Sequence, residues 1–257
     1  MKRFHHQVWP EGLPHDVPLA DHLLDDTLRA SAARSPDKPA IVFYGQITTY
    51  ADLDDQVDRM AGFLQTTCTV ESGDRIGIYM QNAPQFVVAF YAIQRLGGIA
   101  VPINAMNLTE ETHYIVADAG IRCVLTAQDR VEQLQPLLQS GALDHAIVAT
   151  YADALPDPAP AGLPAALTAP RAALPAGMTP WSQAMGAGQR PMPVDVSPGD
   201  LCVMPYTSGS TGRGKGCKHS HISTLHAARC MYDWFGIGKN DVYLSAAPMF
   251  HVVGLQA

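Results

Sequence analysis

Small, hydroxyl-bearing and flexible residues gather around one lysine in the stretch Met204-Pro-Tyr-Thr-Ser-Gly-Ser-Thr-Gly-Arg-Gly-Lys-Gly216. Glycines at 209, 212, 214 and 216 let backbone N–H groups turn inward with no Cβ in the way, which is how a chain builds a concave nest for an anion. Thr207, Ser208, Ser210 and Thr211 add hydroxyl donors, and Lys215 adds a compact positive charge. The chemistry this set could do is to grip phosphate. It is not the P-loop of the NTPases: Gly209, Gly214 and Lys215 satisfy most of GxxxxGK[ST], but Gly216 stands where a hydroxyl would bind Mg²⁺, and only about forty residues follow. His219, His221 and His226 lie near Cys217 and Cys230 and invite a metal. They fall on different faces of one helix start, so no metal site is expected, and His221 is expected to cap or pack beside the loop.

Elements that could position the loop are legible on either side of it. Leu201-Cys-Val-Met204 is an apolar strand, and Ser220–Phe235 carries Ile222, Leu225, Ala228, Met231, Tyr232 and Phe235 at helical spacing. Further upstream, a helix is expected over Leu19–Ala33, a strand over Ala40–Tyr44, and a capping box at Thr49 and Asp52 opening a helix striped by Leu53, Val57, Met60, Ala61 and Leu64. Strand Arg75–Met80, a helix capped by Asn82 with Pro84 in its first turn, the stop Gly97-Gly98 and strand Ile99–Ile103 make a βαβ unit, with Tyr79, Phe86, Phe90 and Tyr91 as core. The pattern repeats with a helix from Thr109 to Ala119, strand Cys123–Thr126, a helix from Arg130 to Gln139 and strand Ala146–Ala149. This alternation predicts an α/β fold, a doubly wound, mostly parallel sheet with helices on both faces. Residues 151–198 hold ten of the twenty prolines and are expected to be a surface excursion without chemistry, pinned back by Trp181. A last strand is expected over Asp241–Ser245.

With 257 residues, 47% of them apolar, the chain can bury a substantial core, while its net charge of −7 offers no field to attract nucleic acid or an anionic bilayer. Five cysteines at 68, 123, 202, 217 and 230 lack CxxC spacing, so reduced thiols in the cytoplasm are expected. The best apolar stretch, Phe86–Ile93, is too short to span a membrane.

The string Tyr206-Thr-Ser-Gly-Ser-Thr-Gly-x-Gly-Lys-Gly216 resembles the signature YTSG[ST]TGxPKG of the adenylate-forming acyl-CoA synthetase (AMP-dependent synthetase and ligase) superfamily, with Gly214 where that family usually has proline. Glycine there leaves the loop more conformations to lose on closing. Thr49-Tyr-x-x-Leu53, Gly97-Gly-Ile-Ala-Val-Pro102 and Pro248-Met-Phe-His251-Val-Val-Gly254 are similar to further family motifs in the family's order. The resemblance implies an enzyme that activates a carboxylic acid with ATP and Mg²⁺ to acyl-AMP and then forms the coenzyme A thioester. It further implies that Thr207, Ser208, Gly209, Ser210, Thr211, Gly212 and Lys215 hold the ATP phosphates, and that His251 touches the carboxylate or α-phosphate. Residues 216–221 look like those of fatty-acyl members, so a fatty acid is the expected substrate and an aryl acid the alternative. The family's later adenine, ribose and hinge motifs and its C-terminal lysine cannot be placed here. On this resemblance residues 1–257 are the N-terminal portion of the AMP-binding domain, a fragment without turnover of its own. The other reading is a non-catalytic, truncated α/β module that at most binds nucleotide phosphate weakly, or associates through the apolar surface left bare by the missing half.

Overall fold

The computed structural model describes residues 7–207 and 213–256. Helix α1 (Leu24–Arg34) leads into a two-stranded hairpin, β1 (Pro39–Phe43) with β2 (Gln46–Thr49), and α2 (Tyr50–Thr66) follows at once. The α2 start is the expected capping box: Thr49 Oγ1 accepts the Asp52 N–H at 3.1 Å, and the Asp52 carboxylate accepts the Thr49 N–H at 3.2 Å. Two donors that a helix start leaves orphaned are thereby satisfied, a contribution of about 1 kcal/mol. α1 starts at Leu24 rather than Leu19, which is exposed.

The body is built by β3 (Arg75–Tyr79), α3 (Pro84–Arg95), β4 (Ile99–Pro102), α4 (Thr109–Ala119), β5 (Cys123–Ala127), α5 (Val131–Gln139) and β6 (His145–Ala149). It continues through α6 (Ala165–Thr168), β7 (Met178–Pro180), α7 (Trp181–Gly186), β8 (Leu201–Val203), β9 (Tyr206–Thr207), β10 (Lys215–Gly216), β11 (His219–Ser220), α8 (His221–Phe235) and α9 (Val252–Gln256). One sheet runs in the order β11-β8-β4-β3-β5-β6-β7, parallel except for the edge strand β11. Leu53, Val57, Met60, Phe86, Ile93 and Trp181 pack on one face with Ile76, Ile78, Leu125 and Ile147. Ile115, Val116, Leu134 and Leu137 cover the other with Val101, Val124 and Val148. Strands covered on both sides are apolar at nearly every position, and β5 (Cys-Val-Leu-Thr-Ala) is buried throughout, its one hydroxyl, on Thr126, donating to Tyr79 O at 2.8 Å. The doubly wound expectation therefore holds. Because β3 has β4 on one side and β5 on the other, with α3 and α4 on opposite faces, the strand order reverses at β3. In open α/β sheets, ligands bind beyond the strand carboxyl ends at such a point.

Several local expectations are corrected. Asn82 does not cap α3; the N-cap is Ala83, without a side-chain cap, and the Asn82 amide is engaged elsewhere. Thr109 is the first residue of α4 rather than its cap, and the Glu111 carboxylate takes the Leu108 N–H at 2.7 Å instead. The proline-rich excursion is not merely a linker: it adds strand β7 beside β6 and helix α7, whose Trp181 is buried in the core, so the pinning expectation holds. Residues Asp241–Ser245 form no strand; Val242 and Leu244 are 92% and 84% exposed, since no neighbouring strand among the described residues completes their hydrogen bonding.

Candidate phosphate and carboxylate site

Beyond β8 the chain does not loop directly into a helix. Met204 extends the sheet by donating its N–H to Ala100 O at 2.8 Å, and β9 and β10 then form an antiparallel ribbon in which Thr207 faces Lys215 and Tyr206 faces Gly216. Ser208, Gly209, Ser210, Thr211 and Gly212, which come between the two strands in sequence, lie outside the described residues. The ribbon returns through β11, antiparallel to β8, into α8, whose N-cap Ser220 accepts the Ser223 N–H at 3.2 Å.

The ribbon is anchored by α4, which the sequence did not reveal. Tyr114 donates its hydroxyl to Gly214 O at 2.9 Å, and Tyr206 donates its own to the Asp118 carboxylate at 2.6 Å. The Arg213 guanidinium sits 5.2 Å above the Tyr114 ring. Burial, and then the neighbouring Asp118 carboxylate, push the Tyr206 hydroxyl above its ordinary pKa, so it stays a donor. At Gly214 a Cβ would lie 2.6 Å from Thr207 O, and glycine is what lets the return arm come this close. The departure from the family's proline thus has a local structural consequence. Lys215 and Thr207 are exposed, and among the described residues no carboxylate or acceptor engages the Lys215 ammonium. An ammonium without a partner among the described residues, opposite a hydroxyl on a braced ribbon, is suited to take a phosphate oxygen.

His251 precedes α9. Its backbone N–H donates to Pro248 O at 3.0 Å, and its ring Nδ1 accepts the Val253 N–H at 3.3 Å. With Nδ1 held as an acceptor, the neutral ring carries its proton on Nε2, a donor available to a substrate oxygen. This segment is tied to the end of β3 through Asn82, while the ribbon rises from the end of β8. Only β4 separates those strands, so the two attachments are about 10 Å apart along one carboxyl edge. Met249 and Phe250 pack toward the α2–α3 face, Met204 and Tyr206 toward the α4–α5 face. Both candidate groups therefore attach along one carboxyl edge, the His251 segment at β3, where the strand order reverses, and the ribbon at β8 beyond β4.

His221 is wholly buried at the start of α8, where its Nδ1 accepts the Leu24 N–H at 3.2 Å and welds α1 to the helix after the loop. Its hydrogen bond goes to α1, where it takes an N–H of that helix's first turn, and not to the ribbon. The cysteines are unpaired thiols. No helix among the described residues is long and apolar enough to cross a membrane.

A match to the AMP-binding enzyme family covers residues 28–257. The chain belongs to that family. Among curated relatives, the chain is 29% identical to a long-chain-fatty-acid–CoA ligase of Bacillus subtilis (strain 168), covering 97% of this chain and 46% of that protein. It is 26% identical to the long-chain-fatty-acid–CoA ligase of Escherichia coli O6:H1, over 97% and 47%. The chain thus spans about half the length of the curated relatives it matches. A solved long-chain-fatty-acid–CoA ligase from Archaeoglobus fulgidus superposes with a TM-score of 0.75 at 22% identity, covering 96% of this chain and 47% of that one. An anthranilate CoA ligase in complex with anthranoyl-AMP gives 0.70 at 20%, over 91% and 42%. At those identities the superpositions speak for the fold alone.

Proposed function

We propose that this chain supplies the phosphate-gripping and carboxylate-side walls of an AMP-forming acid–CoA ligase that acts on a fatty acid, and that it corresponds to the N-terminal portion of that enzyme's AMP-binding domain. The observation that carries the reading is the β9–β10 ribbon, which sets Lys215, unpaired among the described residues, opposite Thr207 beyond the β8 carboxyl end. In the first half-reaction a substrate carboxylate oxygen attacks the α-phosphorus of ATP, giving acyl-AMP and releasing pyrophosphate. In the second, the coenzyme A thiol attacks the acyl carbonyl, and AMP leaves. No protein nucleophile is needed, so the chain works by orienting reactants and neutralising charge. Lys215 and Thr207, with Ser208, Gly209, Ser210, Thr211 and Gly212, hold the β- and γ-phosphates, and the ammonium takes up charge as pyrophosphate departs. His251 Nε2–H donates to a carboxylate or α-phosphate oxygen. Mg²⁺ would arrive bound to ATP and lessen the charge on its phosphates; among the described residues no three His, Cys, Asp or Glu side chains gather to hold a metal of their own. Five unpaired thiols suit a reducing cytoplasm.

The test is carboxylate-dependent exchange of labelled pyrophosphate into ATP by the polypeptide expressed from its native gene, across saturated fatty acids and aryl acids. Exchange with fatty acids is expected, together with a native mass about twice that of this chain, and no thioester from residues 1–257 alone. Exchange driven only by aryl acids would move the substrate to that class. The exposed Val242 and Leu244 favour a second reading, a non-catalytic module that binds nucleotide phosphate and self-associates. Absence of exchange with every acid, at native mass equal to this chain's, would select it.

A further inference from the structure

Asn82 follows the carboxyl end of β3 at the strand-order reversal, and its side chain does the work of a missing strand partner. Its Nδ2 donates to Ala247 O at 2.8 Å and to Ser245 O at 3.4 Å, and its Oδ1 accepts the Met249 N–H at 2.7 Å. These contacts span more than 160 residues of sequence and reach a segment with no strand pairing of its own. The β3 end is itself fixed, because the buried Tyr151 hydroxyl accepts the Gln81 N–H at 2.8 Å. Downstream, the turn is closed by the His251 N–H on Pro248 O, and a Cβ at Gly254 would meet Pro248 O at 2.3 Å.

We infer that Asn82 is a positioning residue for His251: its amide clamps Ser245–Met249 to the sheet edge and so sets where the imidazole stands relative to the phosphate ribbon. The role assigned to His251 rests on the ligase reading; the clamp does not. Only a carboxamide offers a donor and an acceptor side by side in this geometry. Aspartate keeps the acceptor for Met249 N–H but turns lone pairs toward Ala247 O, and alanine loses every contact.

The test follows amide hydrogen exchange in residues 245–251 of the native-gene polypeptide for wild type, Asn82→Ala and Asn82→Asp, together with the acid-dependent ATP–pyrophosphate exchange rate. Exchange in that segment is expected to quicken by about tenfold or more in Asn82→Ala and less in Asn82→Asp, with β3, β4 and β5 amides unchanged. The kcat of pyrophosphate exchange should fall by at least about tenfold in Asn82→Ala with KM for ATP unaltered, and Asn82→Asp should lie between. Unchanged protection of residues 245–251 overturns the clamp. A rise in KM for ATP alongside faster exchange throughout the sheet overturns the positioning role, since that pattern is general loosening. Should wild type exchange pyrophosphate with no acid, the ligase reading fails while the amide measurement still decides the clamp.

Discussion

At Lys215 two features combine that sequence shows only singly: an ammonium with no partner among the described residues and a backbone braced so that it stays put. Tyr114 and Asp118 supply the bracing, and nothing in their spacing on α4 announces it, because a tyrosine on a helix usually means core packing. The loop's chemistry was legible in its glycines and hydroxyls; its anchoring depended on contacts about a hundred residues away in sequence. His221 carries a prediction at this scale. Burial holds its imidazole below the ordinary histidine pKa of 6.5, although the neighbouring Asp200, Asp26 and Asp25 charges pull the other way. An unfolded chain therefore takes up a proton, as pH falls through that value, which the folded chain refuses; stability from this group is full above about 6.5 and is lost toward the lowered folded pKa. The urea midpoint should fall between pH 7.5 and 5.5, and His221→Asn, which keeps an acceptor for Leu24 N–H but does not titrate, should fall less. Equal pH dependence in the two proteins would remove His221 from the account.

Among elements, the α1–α2–α3 layer that backs the sheet is locked by Arg95, whose side chain is 1% exposed. It donates to Asp25 at 2.9 Å, Asp54 at 2.6 Å and Asp58 at 2.7 Å, drawing three helices onto one guanidinium. Burial alone would lower its pKa, and Asp25 and Asp54 reverse that and raise it. Removing Arg95 leaves the buried Asp25 carboxylate with the half-exposed Arg29 as its remaining ion-pair partner, so Arg95→Met should cost about 3–5 kcal/mol in denaturant unfolding. A loss under about 1 kcal/mol would mean that the aspartates are effectively solvated. The βαβ rhythm from β3 to β6 was readable because strands covered on both faces are apolar at nearly every position and their helices carry a stripe. β7 and α7 were not, because a three-residue strand among prolines has no period to detect. Asp241–Ser245 failed in the opposite sense: its composition suits a strand, but a strand exists only with a neighbour. Asn82, sitting just before Ala-Pro, has the spacing of a cap, and only the tertiary fold shows that its amide faces Ala247 and Met249 instead.

Across the whole molecule, the sheet brings two motifs some forty residues apart in sequence, the Tyr206–Gly216 loop and Pro248–Gly254, to one carboxyl edge, rooted on strands with a single strand between them. Among the described residues, neither motif lies in the core. The core exists to hold their attachment points, which is why the doubly wound arrangement could be anticipated from hydrophobic pattern while the convergence of the two motifs required the strand order. The claim on which the account turns is that Lys215 grips the departing pyrophosphate end of ATP. Its most direct test is acid-dependent ATP–pyrophosphate exchange by the native-gene polypeptide, wild type against Lys215→Ala, with circular dichroism establishing that both are folded. The account predicts a loss of on the order of 3 kcal/mol in transition-state stabilisation, a rate lower by ~100-fold or more. An exchange rate equal to wild type in a folded Lys215→Ala protein would contradict it.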